Sequence, residues 1–203
     1  MMALYSSENC LDCHRVRFVL AEKGINVEII HVEQDRAASA DLAELNPYSE
    51  TPTLVDKDLK LYGTWVVTEY LDERYPHPPL MPIDPLSRAY LRQIMYRVQR
   101  DWIEPARIIE TSTGKKKVAT AKKELNESLI SSDELFGLQP YLLSEELTLA
   151  DCVVAPLLWR LPAYDIKLTA KDIPNTFRYM QDLFALDSFK RSLTEAERLI
   201  RES

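Results

Sequence analysis

The stretch NCLDCHRVRFVLAEKG, residues 9–24, places two thiols at the start of a predicted helix. Cys10 and Cys13 precede a run whose apolar residues recur at helical spacing. The helix is predicted to end at Gly24, because glycine readily adopts the left-handed conformation that follows many helices. The stretch therefore predicts a turn that carries a thiol pair and leads directly into a helix.

Segments on both sides of this helix have the composition of strands. The runs MALYS (residues 2–6) and VEIIHV (residues 27–32) are apolar or β-branched, which predicts one strand before the helix and one after it. A short helix comes next, and then residues 53–55 and 60–62 flank a polar turn and predict a hairpin. A helix capped by Thr64 follows. The order β-α-β-α-β-β-α predicts a mixed sheet with helices packed on it.

The run YPHPPLMPIDP holds five prolines in eleven residues, which excludes a regular helix or a central strand. We therefore predict an α/β domain over residues 1–75, a stiff linker over residues 76–85, and an all-helical domain over residues 86–203. Five helices are predicted in the last part: a long one from residue 86 with a break near Pro105, then 119–136, the TLADCVVAPLLWRL run, 176–186 and 195–201.

Composition excludes several functional classes. A formal net charge of −7 over 203 residues argues against direct nucleic-acid binding, and the basic run at residues 114–123 is interpreted as a solvated loop and helix start. Three cysteines do not make a disulfide framework, and Cys152 lies in an apolar run that predicts a buried, unreactive thiol. No signal peptide and no membrane-spanning run is visible, so we expect a cytoplasmic protein with no membrane contact.

Four local features resemble the glutathione S-transferase fold. Cys10 occupies the helix start where that family places its catalytic residue, ETPTLV matches the segment that carries its cis-proline at Pro52, and Thr64 matches the hydroxyl that opens the third helix. The sequence TLAD at residues 148–151 matches the family's helix-capping box. The resemblance implies a thioredoxin-like N-terminal domain, an all-α C-terminal domain and a homodimer.

The same resemblance implies a glutathione site at Cys10, Thr51, Pro52, Gly63 and Thr64. In transferases an acidic or amide side chain precedes the hydroxyl residue of the third helix, whereas this chain has Gly63. The hydroxyl and the helix N-terminal amides could still hold a carboxylate. We therefore expect the site to be vestigial or weak, with glutathione as a possible ligand and no required cofactor.

Longer runs resemble the stringent starvation protein A family, namely LAEKG, NPYSETPTLVDKDL, EYLDERYPHPPLMP, LADCVVAPLLWRLP and SLTEAER. The resemblance implies association with RNA polymerase holoenzyme, transcription regulation in the stress response, and a functional surface patch at Pro76, His77 and Pro78. His77 either hydrogen-bonds the linker to the protein body or points outward, and we favour recognition because a rigid proline frame loses little entropy on binding. Asp84 departs from the aromatic residue common there in the family, so the edge of the patch is expected to differ.

The two thiols leave an enzymatic alternative open. Cys10 at a helix start could be a nucleophile and Cys13 the thiol that resolves a mixed disulfide, which would make the chain a glutathione-dependent transferase or a thiol reductase. Leu11 and Asp12 weigh against this, since glutaredoxin-like motifs carry proline after the first cysteine and a carboxylate opposes a thiolate. We predict a regulator with no catalytic residue, and no metal site, because His77 has no companion ligands in the sequence. Arg15 and Arg17, on the same helix, are expected on a solvated or ion-paired face.

Overall fold

The computed structural model describes residues 2–33 and 36–202, and gives only the backbone of residues 36 and 37. These residues form two compact units. The first comprises residues 2–79 together with 187–202, and the second comprises residues 80–186. The strands are β1 (Met2–Ser6), β2 (Glu28–His31), β3 (Thr53–Asp56) and β4 (Leu59–Tyr62). The helices are α1 (Leu11–Glu22), α2 (Arg36–Leu45), α3 (Thr64–Arg74), α4 (Pro85–Val98), α5 (Glu104–Thr111), α6 (Lys115–Ser131), α7 (Leu149–Trp159), α8 (Pro174–Ala185), α9 (Asp187–Ser192) and α10 (Glu195–Leu199).

A four-stranded mixed sheet of order β2-β1-β3-β4 forms the centre of the first unit. Strand β1 pairs parallel to β2 and antiparallel to β3, which forms a hairpin with β4. Leu4 and Leu54 lie opposite each other in the β1–β3 pair, and both are fully buried. The predicted element order and mixed sheet are confirmed.

Helix α1 is buried along most of its length, including the apolar side chains of Val16, Phe18 and Val19. Gly24 follows its end with φ = 63°, as predicted from the glycine stop. The prediction that Thr64 caps α3 is wrong. Gly63 is the N-cap, with φ = 82° and no side-chain cap, and Thr64 is the first helical residue, because the chain enters this helix through a left-handed turn that favours glycine.

The C-terminal segment of the chain packs on α1 through α9 and α10. Arg17 is buried and donates from Nη2 to Glu197 Oε1 at 2.6 Å and from Nε to the Ser192 carbonyl at 3.0 Å. His14 Nε2 lies 2.9 Å from Ser192 Oγ, and Thr194 Oγ1 donates to the Glu8 carbonyl at 2.8 Å. Residues 187–202 therefore complete the α/β unit, which the sequence patterns did not indicate.

The second unit is built from helices alone, with short 3₁₀ turns between them. A π-helical turn, Gln99–Ile103, joins α4 to α5 where the sequence predicted a break near Pro105. Proline has no N–H to donate to the preceding turn, and a widened turn accommodates this loss without ending the helix. Helix α6 begins and ends several residues before the predicted range of 119–136, because its lysine-rich start is helical and residues 133–137 form a 3₁₀ turn.

Helix α7 is the core of this second unit. Its capping box is present as predicted, with Thr148 Oγ1 accepting from the Ala150 N–H and Asp151 Oδ2 accepting from the Thr148 N–H at 2.7 Å. Asp151 also accepts hydrogen bonds from Tyr179 Oη at 2.7 Å and the Leu142 N–H at 2.9 Å. Burial raises the pKa of Asp151, and these donors partly offset that effect.

The Arg17–Glu197 ion pair predicts a large effect of a single substitution in the first unit. We expect Arg17→Met to lower the free energy of unfolding by about 3–5 kcal/mol, because it leaves the buried Glu197 carboxylate without its cation. Chemical denaturation of the full chain measures this effect. Arg198→Met, at an exposed position of the same short helix, is the matched control and should change stability by less than about 0.5 kcal/mol. Equal stability of the two variants would contradict the assigned role of the pair.

Candidate functional site

The turn between β1 and α1 holds the two thiols. Cys10 is the N-cap of α1, and its Sγ accepts a hydrogen bond from the Cys13 N–H at 3.4 Å. Cys10 is half-buried, whereas Cys13, in the first turn of α1, is fully buried. Both cysteines are free thiols in this structure. The CxxC spacing therefore places one partly exposed and one enclosed thiol within a single helical turn.

Cys13 is the thiol whose surroundings favour the thiolate. A hydrogen bond from Cys10 lowers the pKa of Cys13 most, and burial opposes this effect. The Thr51 hydroxyl and the Ser7 N–H, which lies 3.3 Å from Cys13 Sγ, also lower this pKa, as does the positive charge of Arg17. Together these groups hold the pKa of Cys13 at about 7. The Thr51 and Ser7 hydroxyl oxygens lie 2.8 Å apart and share a hydrogen bond.

The pKa of Cys10 moves in the opposite direction. Its hydrogen bond to Cys13 and its burial raise the pKa of Cys10, whereas its helix-capping bond from the Cys13 N–H lowers it. Asp12 also raises the pKa of Cys10, by the smallest amount of these causes. Its carboxylate is paired with Arg15 at 2.7 Å. The surroundings therefore favour the thiolate form of Cys13 over that of Cys10. The enzymatic alternative drawn from the sequence assigned the nucleophile to Cys10.

Arg17 connects this thiol pair to the C-terminal segment. Its Nη1 donates to Ser6 Oγ at 2.6 Å and to the Ser7 carbonyl at 3.2 Å, while its Nη2 binds Glu197. Arg15 and Arg17 are both buried and ion-paired rather than solvated. Sequence reasoning missed this arrangement, because the partner Glu197 lies 180 residues away.

The remaining glutathione-type positions also lie in the first unit. The Thr51–Pro52 peptide bond is cis, as predicted. Thr51 helps to lower the pKa of Cys13, and its hydroxyl shares a hydrogen bond with that of Ser7. Thr64 lies at the start of α3 and makes no side-chain hydrogen bond with any residue that the structure describes. The structure therefore brings Cys10, Cys13 and Thr51 together near Ser7. The first turn of α3, where Thr64 is buried, has no side-chain cap.

The Pro-His-Pro patch (Pro76, His77 and Pro78) follows α3. All three residues are exposed, and residues 76–84 contain neither helix nor strand. His77 has no hydrogen bond or ion pair with any part of the chain that the structure describes, so its imidazole does not tie the segment to the body. Of the two sequence interpretations of His77, the outward-facing one agrees with this geometry.

Lys23 holds the backbone of the patch, and no sequence signal pointed to it. Its Nζ donates to the Tyr75 carbonyl at 2.7 Å and to the Pro78 carbonyl at 2.6 Å, and it pairs with Asp72 Oδ1 at 2.8 Å. The Lys23 side chain is completely buried. All three ammonium protons therefore have partners, and two of those partners are the carbonyls that flank Pro76 and His77.

Within residues 2–33 and 36–202, no group of three or more His, Cys, Asp or Glu side chains is arranged to hold a metal ion. No helix of the described chain is long and apolar enough to cross a membrane.

Comparison with known proteins identifies the class of protein to which the chain belongs. Residues 4–79 match the glutathione S-transferase N-terminal domain, and residues 78–187 match its C-terminal domain. A glutathione S-transferase from Methylobacillus flagellatus, solved with glutathione bound, shares 25% identity at a TM-score of 0.78, covering 96% of this chain and all of that one. A delta-class transferase from Nilaparvata lugens has a TM-score of 0.84 at 20% identity, over 98% and 96% of the two chains. The fold class predicted from the sequence is confirmed.

Closer relatives specify the family. The stringent starvation protein A homolog of Coxiella burnetii is 44% identical over 202 residues, covering all of this chain and 96% of its own length. The homolog of Haemophilus influenzae is 43% identical and covers 97% of this chain and 92% of its own length. The chain belongs to the stringent starvation protein A family.

The Lys23 contacts predict that one buried ammonium orders the patch. We expect Lys23→Met to lower the free energy of unfolding by about 3 kcal/mol, because the Asp72 carboxylate loses its cation and two carbonyls lose their donor. We also expect the ¹⁵N order parameter of the His77 amide to fall from about 0.85 to below about 0.6. Lys60→Met, at an exposed position of β4, is the control and should change neither quantity. An unchanged His77 order parameter in Lys23→Met would show that other contacts order the segment.

Proposed function

We propose that this chain is an RNA polymerase-associated transcription regulator that acts through protein–protein contacts made by the Pro-His-Pro patch. The observation that carries the proposal is an exposed His77 with no partner among the described residues, set between prolines whose backbone a buried lysine holds. Membership in the stringent starvation protein A family supports the polymerase as the partner and the stress response as the setting.

The geometry of the patch suits recognition for an entropic reason. Prolines fix φ on either side of His77, and Lys23 binds the carbonyls at both ends of the segment. A segment ordered before binding loses little conformational freedom when a partner docks, so more of its contact energy contributes to affinity. The exposed imidazole can both donate and accept hydrogen bonds, which gives the contact directionality.

The charge of the chain favours a protein partner over nucleic acid. A net charge of −7 repels the phosphate backbone, so the polymerase rather than this chain would contact DNA. A polymerase partner also places the protein in the cytoplasm, and the proposed regulation requires no cofactor.

A glutathione-dependent transferase or thiol reductase is the alternative. The observation that favours it is the placing of Cys10, Cys13 and Thr51 together near Ser7, next to cis-Pro52. Against it, the accessible thiol of Cys10 has a raised pKa, which lowers the thiolate fraction available to attack an electrophile. Glutathione could bind weakly at the start of α3 near Gly63 and Thr64 without turnover. Saturable, Cys10-dependent conjugation of glutathione to an electrophile would favour the enzyme.

We also propose that the protein is a homodimer. Large apolar side chains are exposed on both helices that would meet: Val66 on α3 is 52% exposed, and Leu86 and Tyr90 on α4 are 72% and 65% exposed. Leu86 and Tyr90 are four residues apart and therefore lie on the same face of α4. A two-fold axis would cover these side chains by setting α3 of one copy against α4 of the other.

The patch proposal predicts the loss of polymerase capture on substitution. Combined Pro76→Ala, His77→Ala and Pro78→Ala should abolish capture of RNA polymerase subunits from a bacterial lysate, because the rigid frame and the imidazole are both removed. His77→Ala alone keeps both prolines and the two carbonyls bound by Lys23. We expect it to weaken capture strongly while the melting temperature stays within about 2 °C of wild type.

Pro140→Ala is the control for the patch variants, since it removes an exposed proline from the second unit. It should capture polymerase at wild-type strength. A folded triple variant that still binds polymerase fully would place the function on another surface. Capture that falls only in proportion to the folded fraction would identify the segment as a structural strap.

The dimer proposal predicts a mass change on substitution of α4. Light scattering at micromolar concentration should give twice the chain mass for wild type and the single-chain mass for Leu86→Glu combined with Tyr90→Glu, since the new charges would be buried against α3 of the other copy. Leu138→Glu, at a residue 63% exposed, is the control and should remain dimeric. A monomeric wild-type protein would refute the dimer.

A further inference from the structure

The start of α6 concentrates positive charge on an acidic chain. Residues 114–123 carry five lysines and no acidic residue, whereas the formal net charge of the whole chain is −7. Three of these lysines, Lys115, Lys116 and Lys117, form the first turn of α6. All three are exposed, and none of their side chains has a hydrogen bond or ion pair with any residue in the described ranges of the chain. Their charge is therefore not compensated by a direct contact within that part of the structure.

The position of these lysines is unfavourable for the helix. The helix dipole places partial positive charge at the N-terminus, so cations there destabilise a helix, and neighbouring cations repel one another. Gly114 is the N-cap and provides no side-chain cap, and the first turn has no acidic residue. The last turn of α6, where the dipole favours cations, has no basic residue. The stability of α6 therefore does not explain where the lysines lie.

A groove between α5 and α6 lies next to the basic turn. Its volume is about 500 Å³, and its apolar lining includes the half-buried Ile108 of α5 and the buried Ala121 of α6. Lys116 and Lys117 line the same groove, and Glu124 adds one carboxylate. The groove thus combines an apolar lining with an excess of positive charge.

We propose that this groove binds an acidic peptide segment of another protein. Carboxylates of the segment pair with Lys116 and Lys117, and an apolar side chain between them packs on Ile108 and Ala121. Binding also relieves the repulsion at the start of α6, because it brings negative charge to a helix N-terminus. The groove shares no residue with the Pro-His-Pro patch, and the proposal does not depend on the polymerase contact.

The groove favours a peptide over nucleic acid. Among the described residues, those that line it include no aromatic side chain on which a base could stack. The chain outside residues 114–123 is strongly acidic and repels a phosphate backbone that extends beyond the groove. A short peptide responds mainly to the local charge, because salt screens charges over about 8 Å at physiological ionic strength.

The experiment is titration of a fluorescently labelled peptide, EDLEDLED, with the full chain, followed by anisotropy. We expect saturable binding by wild type, and binding about fivefold to tenfold weaker by combined Lys116→Gln and Lys117→Gln, because two ion pairs are lost. A peptide with alanine in place of leucine should bind about fivefold more weakly, since it leaves the apolar lining uncovered.

A second pair of lysines provides the matched control. Combined Lys57→Gln and Lys60→Gln removes the same charge from exposed positions of the hairpin formed by β3 and β4. This variant should bind the peptide like wild type. Equal weakening in the two double variants would show a response to net charge alone and would overturn the proposal.

The melting temperature separates a binding role from a structural one. Glutamine forms helices about as well as lysine, so combined Lys116→Gln and Lys117→Gln should leave the melting temperature unchanged or raise it by about 1–4 °C. A lower melting temperature would show that the lysines stabilise α6, which contradicts the proposal.

The remaining outcomes concern the occupant. The proposal is wrong if wild type shows no saturable binding of the peptide, or if the leucine and alanine peptides bind equally well. Tighter binding of a single-stranded DNA of about 12 nucleotides, lost in the Lys116 and Lys117 variant, would instead identify a nucleic-acid site.

Discussion

A buried cation must be paired, and helix α1 together with its C-cap residue carries three of them, at Arg15, Arg17 and Lys23. Each is compensated by a partner from a different direction: Asp12 on the same helix, Glu197 in the C-terminal segment and Asp72 on α3. Moving an ion out of water costs several kcal/mol unless such partners and hydrogen bonds are present. The requirement to pair these charges therefore determines which parts of the chain must lie against α1.

The same constraint organises both candidate regions of the first unit. Arg17 is the cation near the thiol pair, where it binds the Ser7 carbonyl and favours charge on Cys13. Lys23, at the other end of the helix, binds the carbonyls that flank the exposed His77. Twelve residues of helix separate the two regions by about 18 Å. One helix thus has the thiol pair at its start and the backbone of the Pro-His-Pro patch beside its end.

The proposed roles of these regions differ because their exposure differs. The patch presents its side chains outward and uses only backbone carbonyls for attachment, so its chemistry remains available to a large partner. The thiol pair has one buried and one half-buried member, so it offers little surface to a large partner. The two regions are therefore suited to partners of different size.

Local patterns in the sequence determined the element order, the proline-rich segment, the helix stop at Gly24 and the capping box that begins at Thr148. Each of these depends on residues a few positions apart, for which spacing and backbone preference are sufficient. Family resemblance added the cis bond before Pro52.

Only the tertiary structure decided the partners of the buried charges, because these contacts join residues far apart in the chain. Glu197 returns to Arg17, and Lys23 reaches the carbonyls of Tyr75 and Pro78. The surroundings that lower the pKa of Cys13 and raise that of Cys10 likewise became visible only in the folded chain. The sequence of a helix does not show whether a charged side chain on it is solvated or buried. That depends on which distant segment of the chain covers the side chain.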